Sequence, residues 1–115
     1  MNFKKRGGSI MPAYVVSMMS IHDPKTYIKY TDRTPPIVKR YGGKFLTRGT
    51  EVTTVEGEPY QERMVILEFP SKQSALDWMA DPEYQDAMTF RHASSEARIL
   101  LQEGDSDSFD PDPKL

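Results

Sequence analysis

The pattern of apolar and polar positions is clearest in residues 64–69, where every side chain except that of Glu68 is apolar. Such a run, which contains β-branched and aromatic residues and ends at a proline, predicts a strand that is covered on both faces. Residues 13–21 and 96–103 carry comparable apolar runs. They predict two further strands, the first and the last of the domain.

A fourth strand is predicted between these runs, although its pattern is interrupted. Residues 44–48 and 51–55 both have strand character, and Gly49 between them indicates a β-bulge. The sequence Glu-Gly-Glu-Pro at residues 56–59 has the composition of a turn. We therefore expect a hairpin that joins this second strand to the central one at residues 64–69.

Capping residues mark where the helices begin. Asp23-Pro24 predicts a first helix, because aspartate caps the first turn and proline fits the first helical position. Pro35-Pro36 should break that helix, with Thr34 capping a second piece that ends at Gly42-Gly43.

A second helical region is predicted from Ser71 as N-cap to about residue 80, and Asp81-Pro82 restarts it as far as about residue 93. The order of elements is then β-α-β-β-α-β, which predicts an α+β, ferredoxin-like sandwich. Right-handed crossovers place the first and third strands at the centre of a four-stranded antiparallel sheet, with the helices on one face.

Helices on one face leave the other face of the sheet without a cover. Its even-numbered strand positions are apolar with polar residues among them: Tyr14, Val16, Met18, Ser20, Met64, Ile66, Glu68, Arg98, Leu100 and Gln102. Leaving the six apolar side chains in water would forgo roughly 1.5–3 kcal/mol each. In sum this rivals the total stability of a small domain, about 5–15 kcal/mol. We therefore expect an isologous homodimer that covers this face. The alternative is a monomer whose polar terminal segments fold over the sheet.

Composition limits the classes of function. Acidic and basic residues are mixed and the formal net charge is −2, so no basic patch predicts binding to nucleic acid or to an anionic membrane. The absence of cysteine excludes disulfides, thiolate metal sites and a cysteine nucleophile. No apolar run approaches the ~18 residues of a membrane span, and we expect a cytoplasmic protein.

The length of 115 residues is typical of a single domain. We predict that residues 12–104 form that domain. Residues 1–11, which contain Gly-Gly-Ser, are expected to be a disordered leader. Residues 105–115 are acidic and nearly without apolar side chains, and we expect a disordered tail.

Glu68 is the candidate catalytic residue, because it is a carboxylate on an otherwise apolar strand and would face the dimer core. Desolvation there would favour the protonated carboxyl and suit it to general acid or base catalysis. The structural alternative is a carboxylate near the strand end that is solvated or paired with an arginine.

Four arginines are candidates to hold an anionic ligand: Arg48, Arg63, Arg91 and Arg98. A guanidinium binds a carboxylate through two parallel hydrogen bonds, and Arg48, next to the irregular Gly49, is the strongest candidate. Tyr14, His22 and Arg98 complete the predicted ligand-binding residues. Arginines that bridge strands and surface histidines are the structural alternatives. Neither a cofactor nor a metal is predicted, because two histidines without a nearby carboxylate pattern are a weak metal signal.

A series of short motifs runs through the chain in a fixed order. They are Tyr14, Asp23-Pro24-x-x-Tyr27 with Tyr30, Tyr41-Gly42-Gly43-Lys44-Phe45-Leu46, Arg48-Gly49, Glu56-Gly57, Val65-Ile66-Leu67-Glu68-Phe69-Pro70-Ser71, Ala75, Trp78, Pro82-Glu83-Tyr84, Arg91 and Ala97-Arg98. As an ordered set over residues 12–104, they resemble the domain-of-unknown-function 1330 (DUF1330) family. The resemblance implies a ferredoxin-like fold in the dimeric α/β-barrel superfamily and brings no established reaction. The sequence departs from the family at Thr50, where many members have a second glycine, and at Pro35-Pro36.

Three classes of function follow from these observations. The first is a homodimer with a pocket between the sheet and its partner for a small apolar or anionic ligand. The second is a cofactor-independent enzyme, an oxygenase, isomerase or decarboxylase, acting on a small aromatic or carbonyl compound, and it rests on analogy of fold. The third is RNA binding, which the sequence disfavours because Val65, Ile66 and Leu67 stand where stacking aromatics are needed.

Overall fold

Residues 11–104 of the chain are described by a computed structural model. The strands are β1 (Ala13–Ile21), β2 (Lys44–Arg48), β3 (Arg63–Phe69) and β4 (Ser95–Glu103), and the helices are α1 (Pro24–Thr31), α2 (Thr34–Arg40), α3 (Lys72–Ala80) and α4 (Pro82–Ser94). The predicted disordered leader and tail lie, apart from residue 11, outside the described residues, and these domain limits stay predictions.

The four strands form one antiparallel sheet in the order β2-β3-β1-β4. The predicted ferredoxin-like α+β fold is therefore confirmed, with the first and third strands at the centre. Side chains at odd-numbered positions of β1 and β3 are buried against the helices, among them Val15, Leu67 and Phe69. Alternation along the strands turns the even-numbered positions to the opposite face.

The second strand is shorter than predicted. Only Lys44–Arg48 belongs to the sheet, and residues 51–55 form no strand, with Val55 93% exposed. The irregularity predicted at Gly49 lies earlier, as a register shift between Phe45 and Thr47. Gly49 instead has a φ of +79°, a left-handed conformation that ends the strand, so the expected hairpin is a long connection over residues 49–62.

Three of the four predicted helix caps are confirmed. Asp23 accepts a hydrogen bond from the Thr26 backbone N–H at 3.3 Å, and Ser71 accepts one from that of Ser74 at 3.0 Å. Thr34 was predicted as the N-cap of α2, but it is the first helical residue and is buried, and Arg33 precedes it without a side-chain cap. The two prolines that follow fit the first turn, where backbone N–H groups have no intrahelical acceptor.

The third cap, Asp81, ties the helix layer together. Its Oδ1 accepts the backbone N–H groups of Glu83 at 2.7 Å and Tyr84 at 3.1 Å, which starts α4. Its Oδ2 accepts the Tyr41 hydroxyl at 2.6 Å and Nη1 of Arg40 at 3.0 Å. These hydrogen bonds lower the pKa of Asp81, and the hydrogen bond from Tyr41 lowers it most strongly. We call these five residues the Asp81 cluster.

The core between helices and sheet is aromatic at its centre. The Trp78 ring lies 5.1 Å from that of Phe69 and 4.3 Å from that of Tyr84, measured between centroids, and all three side chains are buried. Ile37 and Val38 from α2 are also buried there. This packing fixes Trp78 at the boundary of the cavity described below.

Candidate functional site

The sheet face away from the helices carries six apolar side chains in adjacent rows. Together they define the open face: Tyr14, Val16, Met18, Met64, Ile66 and Leu100. Val16 lies between Ile66 and Leu100 in the central row. Most of these side chains are half-buried by their neighbours, whereas Leu100 is 49% exposed. Within residues 11–104 no helix covers them, since the helices pack on the opposite face.

Charged residues of both signs surround the open face. Glu68 lies opposite Tyr14 and forms an ion pair with Lys44 across the β2–β3 pairing, with 3.2 Å between Nζ and Oε1. At the other end Arg98 lies opposite Met18, and Glu96 lies opposite Ser20. An apolar centre with a polar rim is the usual anatomy of a protein interface.

The predicted site residues do not meet in one place. Tyr14 and Glu68 are direct neighbours on the open face. Arg98 shares that face but pairs with Met18, four residues further along β1, which is about 13 Å away. His22 is exposed just beyond the end of β1, where its backbone N–H donates to the Ser94 carbonyl at 2.9 Å.

Arg48 lies on the opposite face of the sheet, because of the register shift in β2. Strict alternation would put it on the same side as Lys44, but the extra residue Leu46 brings Arg48 opposite Val65, which faces the helices. Its guanidinium lies 4.0 Å above the Phe45 ring, at the mouth of a cavity between the sheet and α1 and α2.

This cavity, the arginine cleft, has a volume of about 30 Å³. Its lining is mainly apolar and aromatic, with two arginines: Ser17, Met19, Tyr27, Tyr30, Thr31, Thr34, Val38, Phe45, Arg48, Arg63, Val65, Leu67 and Trp78. Arg63 comes from the start of β3, and its guanidinium lies 5.6 Å from the centre of the Tyr27 ring.

The arginine cleft has hydrogen-bond donors without matching acceptors. Nε of Arg63 and Nε1 of Trp78 are buried and have no hydrogen-bond partner within the part of the chain that the structure describes. Neither Arg48 nor Arg63 belongs to any ion pair among residues 11–104. The same holds for Arg91, which is 5% exposed, has an unpartnered Nε and lies 5.5 Å from the Tyr30 ring. Buried charges are normally paired, so the buried Arg91 is unusual.

Tyrosine hydroxyls around the cleft interact with Met19, with each other and with the guanidinium groups of Arg63 and Arg91. The hydroxyl of Tyr27 donates to the sulfur of Met19 at 2.8 Å, and those of Tyr30 and Tyr84 share a hydrogen bond of 2.7 Å. Burial raises the pKa of all three tyrosines above its usual value. These side chains therefore stay protonated at neutral pH and act as hydrogen-bond donors rather than as bases.

Sequence reasoning identified part of this cluster. Residue type alone named Arg48, Arg63 and Arg91 as candidates, but no sequence signal indicated which of them lack a carboxylate partner. Trp78 was recognised only as a family motif, because its unpartnered N–H depends on the packing around it.

Among residues 11–104, no group of three or more His, Asp or Glu side chains is placed to hold a metal ion. None of the helices in that range is long and apolar enough to cross a membrane.

Comparison with known proteins gives a family and a fold. The model of the family described as "Domain of unknown function (DUF1330)" matches residues 12–105. A crystal structure of a protein of unknown function from Rhodopseudomonas palustris is similar, with a TM-score of 0.71 at 19% identity over 86% of this chain and 87% of that one. SnoaB, a cofactor-independent oxygenase from Streptomyces nogalater, has a TM-score of 0.62 at 17% identity over 87% of this chain and 99% of its own. Comparison with curated proteins gives no match.

Proposed function

The chain belongs to the DUF1330 family, and we propose that it acts as a homodimer that binds a small organic molecule. Two copies pack their open faces together about a twofold axis. The carrying observation is the open face itself, whose six apolar side chains have no cover from any element in residues 11–104.

The rim of the open face favours a second copy of the chain as the partner. Lys44 and Glu68 lie at one end, and Arg98 and Glu96 lie at the other. A rim with equal numbers of both charges can complement itself. It has no excess charge that would attract a strongly acidic or a strongly basic partner. Isologous contacts need such self-complementarity.

A cytoplasmic location is also part of the proposal, and the absence of cysteine is in keeping with it.

The mass in solution tests the dimer. Light scattering after size exclusion should give twice the chain mass of 13.2 kDa. Ile66→Glu places a charge at the centre of the open face and should give the monomer. Ile28→Glu is the matched control, because Ile28 is 53% exposed on α1, and it should remain a dimer. A monomeric parent at micromolar concentration would rule the proposal out.

The ligand has two candidate positions. The space between the open faces of the two chains is the position predicted from the sequence, with Tyr14, Glu68 and Arg98 on its walls. The arginine cleft lies in each chain separately, on the helix side. Binding at these two positions depends on different arginines, Arg98 for the first and Arg48 and Arg63 for the second, so single substitutions distinguish them.

A cofactor-independent enzyme is the second candidate function. The observation that favours it is the similarity to SnoaB over 87% of the chain. Such an enzyme would act as an oxygenase, isomerase or decarboxylase on a small aromatic or carbonyl compound. It needs a group to accept a substrate proton, and Glu68 beside Tyr14 is the candidate base.

Oxygen uptake and consumption of the ketone, followed with a panel of enolisable aromatic ketones, test the enzyme. Turnover by the parent that is lost in Glu68→Gln, with the dimer intact, would support catalysis by Glu68. Equal turnover by the parent and by Glu68→Gln would remove Glu68 from the mechanism. No turnover with any member of the panel would favour the binding function.

A further inference from the structure

We propose that the arginine cleft binds the carboxylate group of a small organic acid whose apolar body lies against Phe45 and Met19. This inference rests on the proposed ligand-binding function and names its ligand class. It does not depend on the dimer, because every residue of the cleft belongs to one chain.

The excess of donors selects an acceptor. Arg63 and Trp78 line the cleft, and each has a buried nitrogen without a partner among residues 11–104. Leaving such donors unpaired costs the folded protein their desolvation, and a ligand oxygen that reached them would relieve this cost. A cationic or donor-rich ligand would add to the mismatch instead. A neutral carbonyl would accept hydrogen bonds but would leave the charge of Arg63 uncompensated.

Charge selects an anion among the acceptors. The cleft contains Arg48 and Arg63, and Arg91 lies behind it against the Tyr30 ring. No carboxylate of residues 11–104 forms an ion pair with these three arginines. Since burial keeps Tyr27, Tyr30 and Tyr84 protonated, no tyrosinate supplies the missing negative charge either.

Size and shape select a carboxylate among the anions. A volume of about 30 Å³ accommodates two to three water-sized centres, which suits a planar two-oxygen group. A guanidinium binds such a group through two parallel hydrogen bonds. Met19, Val38, Phe45 and Leu67 make the remaining wall apolar, so the body of the acid is expected to be apolar or aromatic and to extend outward past Phe45.

Gly49 leaves room for the guanidinium of Arg63. A Cβ at residue 49 would lie 2.7 Å from Nη1 of Arg63, so the end of the Arg63 side chain would have to move. Gly49 also has a positive φ of +79°, which disfavours other residues. The end of β2 is therefore shaped around the Arg63 side chain, and Gly49 acts as a positioning residue for the cleft.

Trp78 provides a direct readout, because it is the single tryptophan of the chain and it lines the cleft. The parent protein is titrated with benzoate, phenylacetate and hexanoate while tryptophan emission is recorded. Benzamide and benzyl alcohol serve as uncharged probes, and inorganic phosphate serves as a different anion. At least one carboxylate should change the emission saturably, and the uncharged probes and phosphate should bind at least tenfold more weakly.

Three arginine variants locate the site. Arg63→Gln and Arg48→Gln should each weaken carboxylate binding about tenfold to a hundredfold, because each loses charge-assisted hydrogen bonds. Arg48 is exposed, so its variant should fold even if Arg63→Gln does not. Arg98→Gln tests the alternative position on the open face. Arg33→Gln is the control, because Arg33 pairs with Asp86 and does not line the cleft, and it should bind like the parent.

The outcomes separate this inference from the wider proposal. Loss of binding in Arg98→Gln alone would put the ligand between the subunits and overturn the cleft. Equal binding of phosphate and carboxylates would overturn the ligand class. No saturable change with any carboxylate would overturn the cleft as a carboxylate site. The mass measurement on the same samples reports on the dimer independently of all three results.

Discussion

Two polar clusters of this protein pack against the same helix layer and are built in opposite ways. In the Asp81 cluster one carboxylate accepts four hydrogen bonds, two from the backbone of α4 and two from the side chains of Tyr41 and Arg40. In the arginine cleft, Arg63 and Trp78 have buried donors without a hydrogen-bond partner among residues 11–104. The Asp81 cluster is satisfied by groups of the chain itself, whereas the acceptor proposed above would satisfy the arginine cleft. Satisfied hydrogen bonds stabilise a fold, whereas unsatisfied buried donors need an explanation such as a ligand.

The largest expected effect on stability is in the Asp81 cluster. Asp81→Ala removes the cap of α4 and the partner of Tyr41 and Arg40, and it should lower Tm by roughly 5–10 °C. Asp86→Ala is the control, because the Asp86 side chain forms an exposed ion pair with Arg33, and it should shift Tm by less than about 3 °C. Thermal unfolding followed by circular dichroism makes the comparison. Equal shifts in the two variants would contradict the role assigned to Asp81.

Two glycines test the geometry of the arginine cleft. Gly49→Ala and Gly57→Ala both place a side chain at positive φ, which should cost each about 1–2 kcal/mol of stability. Only at residue 49 would the new Cβ meet Arg63, since a Cβ at residue 57 has no neighbour within 4 Å. Carboxylate titrations should therefore show weaker binding for Gly49→Ala alone. Similar affinity in both variants would mean that Gly49 does not position Arg63.

Arg91 tests whether an arginine without an ion-pair partner behind the arginine cleft lowers the stability of the protein. It is buried without an ion-pair partner among residues 11–104, so Arg91→Met should unfold in urea with a free energy equal to that of the parent within about 1 kcal/mol, or higher. Arg33→Met removes a paired arginine and is the comparison. A loss of several kcal/mol in Arg91→Met alone would show that Arg91 holds the fold.

The smallest expected effect is the dependence of stability on pH. The pKa of Asp81 is lower in the folded chain than its ordinary value of 3.8, so protons bind the unfolded state more readily. The stabilisation is complete above that ordinary value and is lost as the pH falls through the lower pKa of the folded state. Asp81→Asn should show a shallower loss of stability below about pH 4 than the parent. Parallel acid curves for the two proteins would contradict this assignment.

Sequence patterns were sufficient for the helix cap in the Asp81 cluster and for the fold, but not for the contacts of Asp81 with Tyr41 and Arg40. The local sequence Asp81-Pro82 predicts an N-cap, as Asp23-Pro24 and Ser71 do, because capping depends on a few adjacent residues. The central positions of β1 and β3 follow from their apolar runs and from the handedness of crossovers. Matching the DUF1330 motifs along the chain gave the same fold.

The arginine cleft could be predicted from the sequence only in part. The side of the sheet that Arg48 faces depends on one extra residue in β2, which the apolar pattern does not show, and a shift by one residue reverses every later side chain. The cap at Thr34 failed because proline in the first turn moved the start of α2 by one residue. Unpartnered nitrogens on Arg63 and Trp78 arise from packing between distant segments, and no local pattern records them.

The extra residue in β2 also has an evolutionary meaning. Deletion of Leu46 would remove the bulge but leave Arg48 opposite Val65, on the helix side. One residue inserted between Thr47 and Arg48 would instead turn Arg48 to the open face and leave the cleft with Arg63 alone. A single codon inserted at this point therefore transfers a guanidinium between two surfaces of the molecule. Among related sequences, the spacing between the bulge and the arginine would be the character that separates proteins with the cleft from those without it.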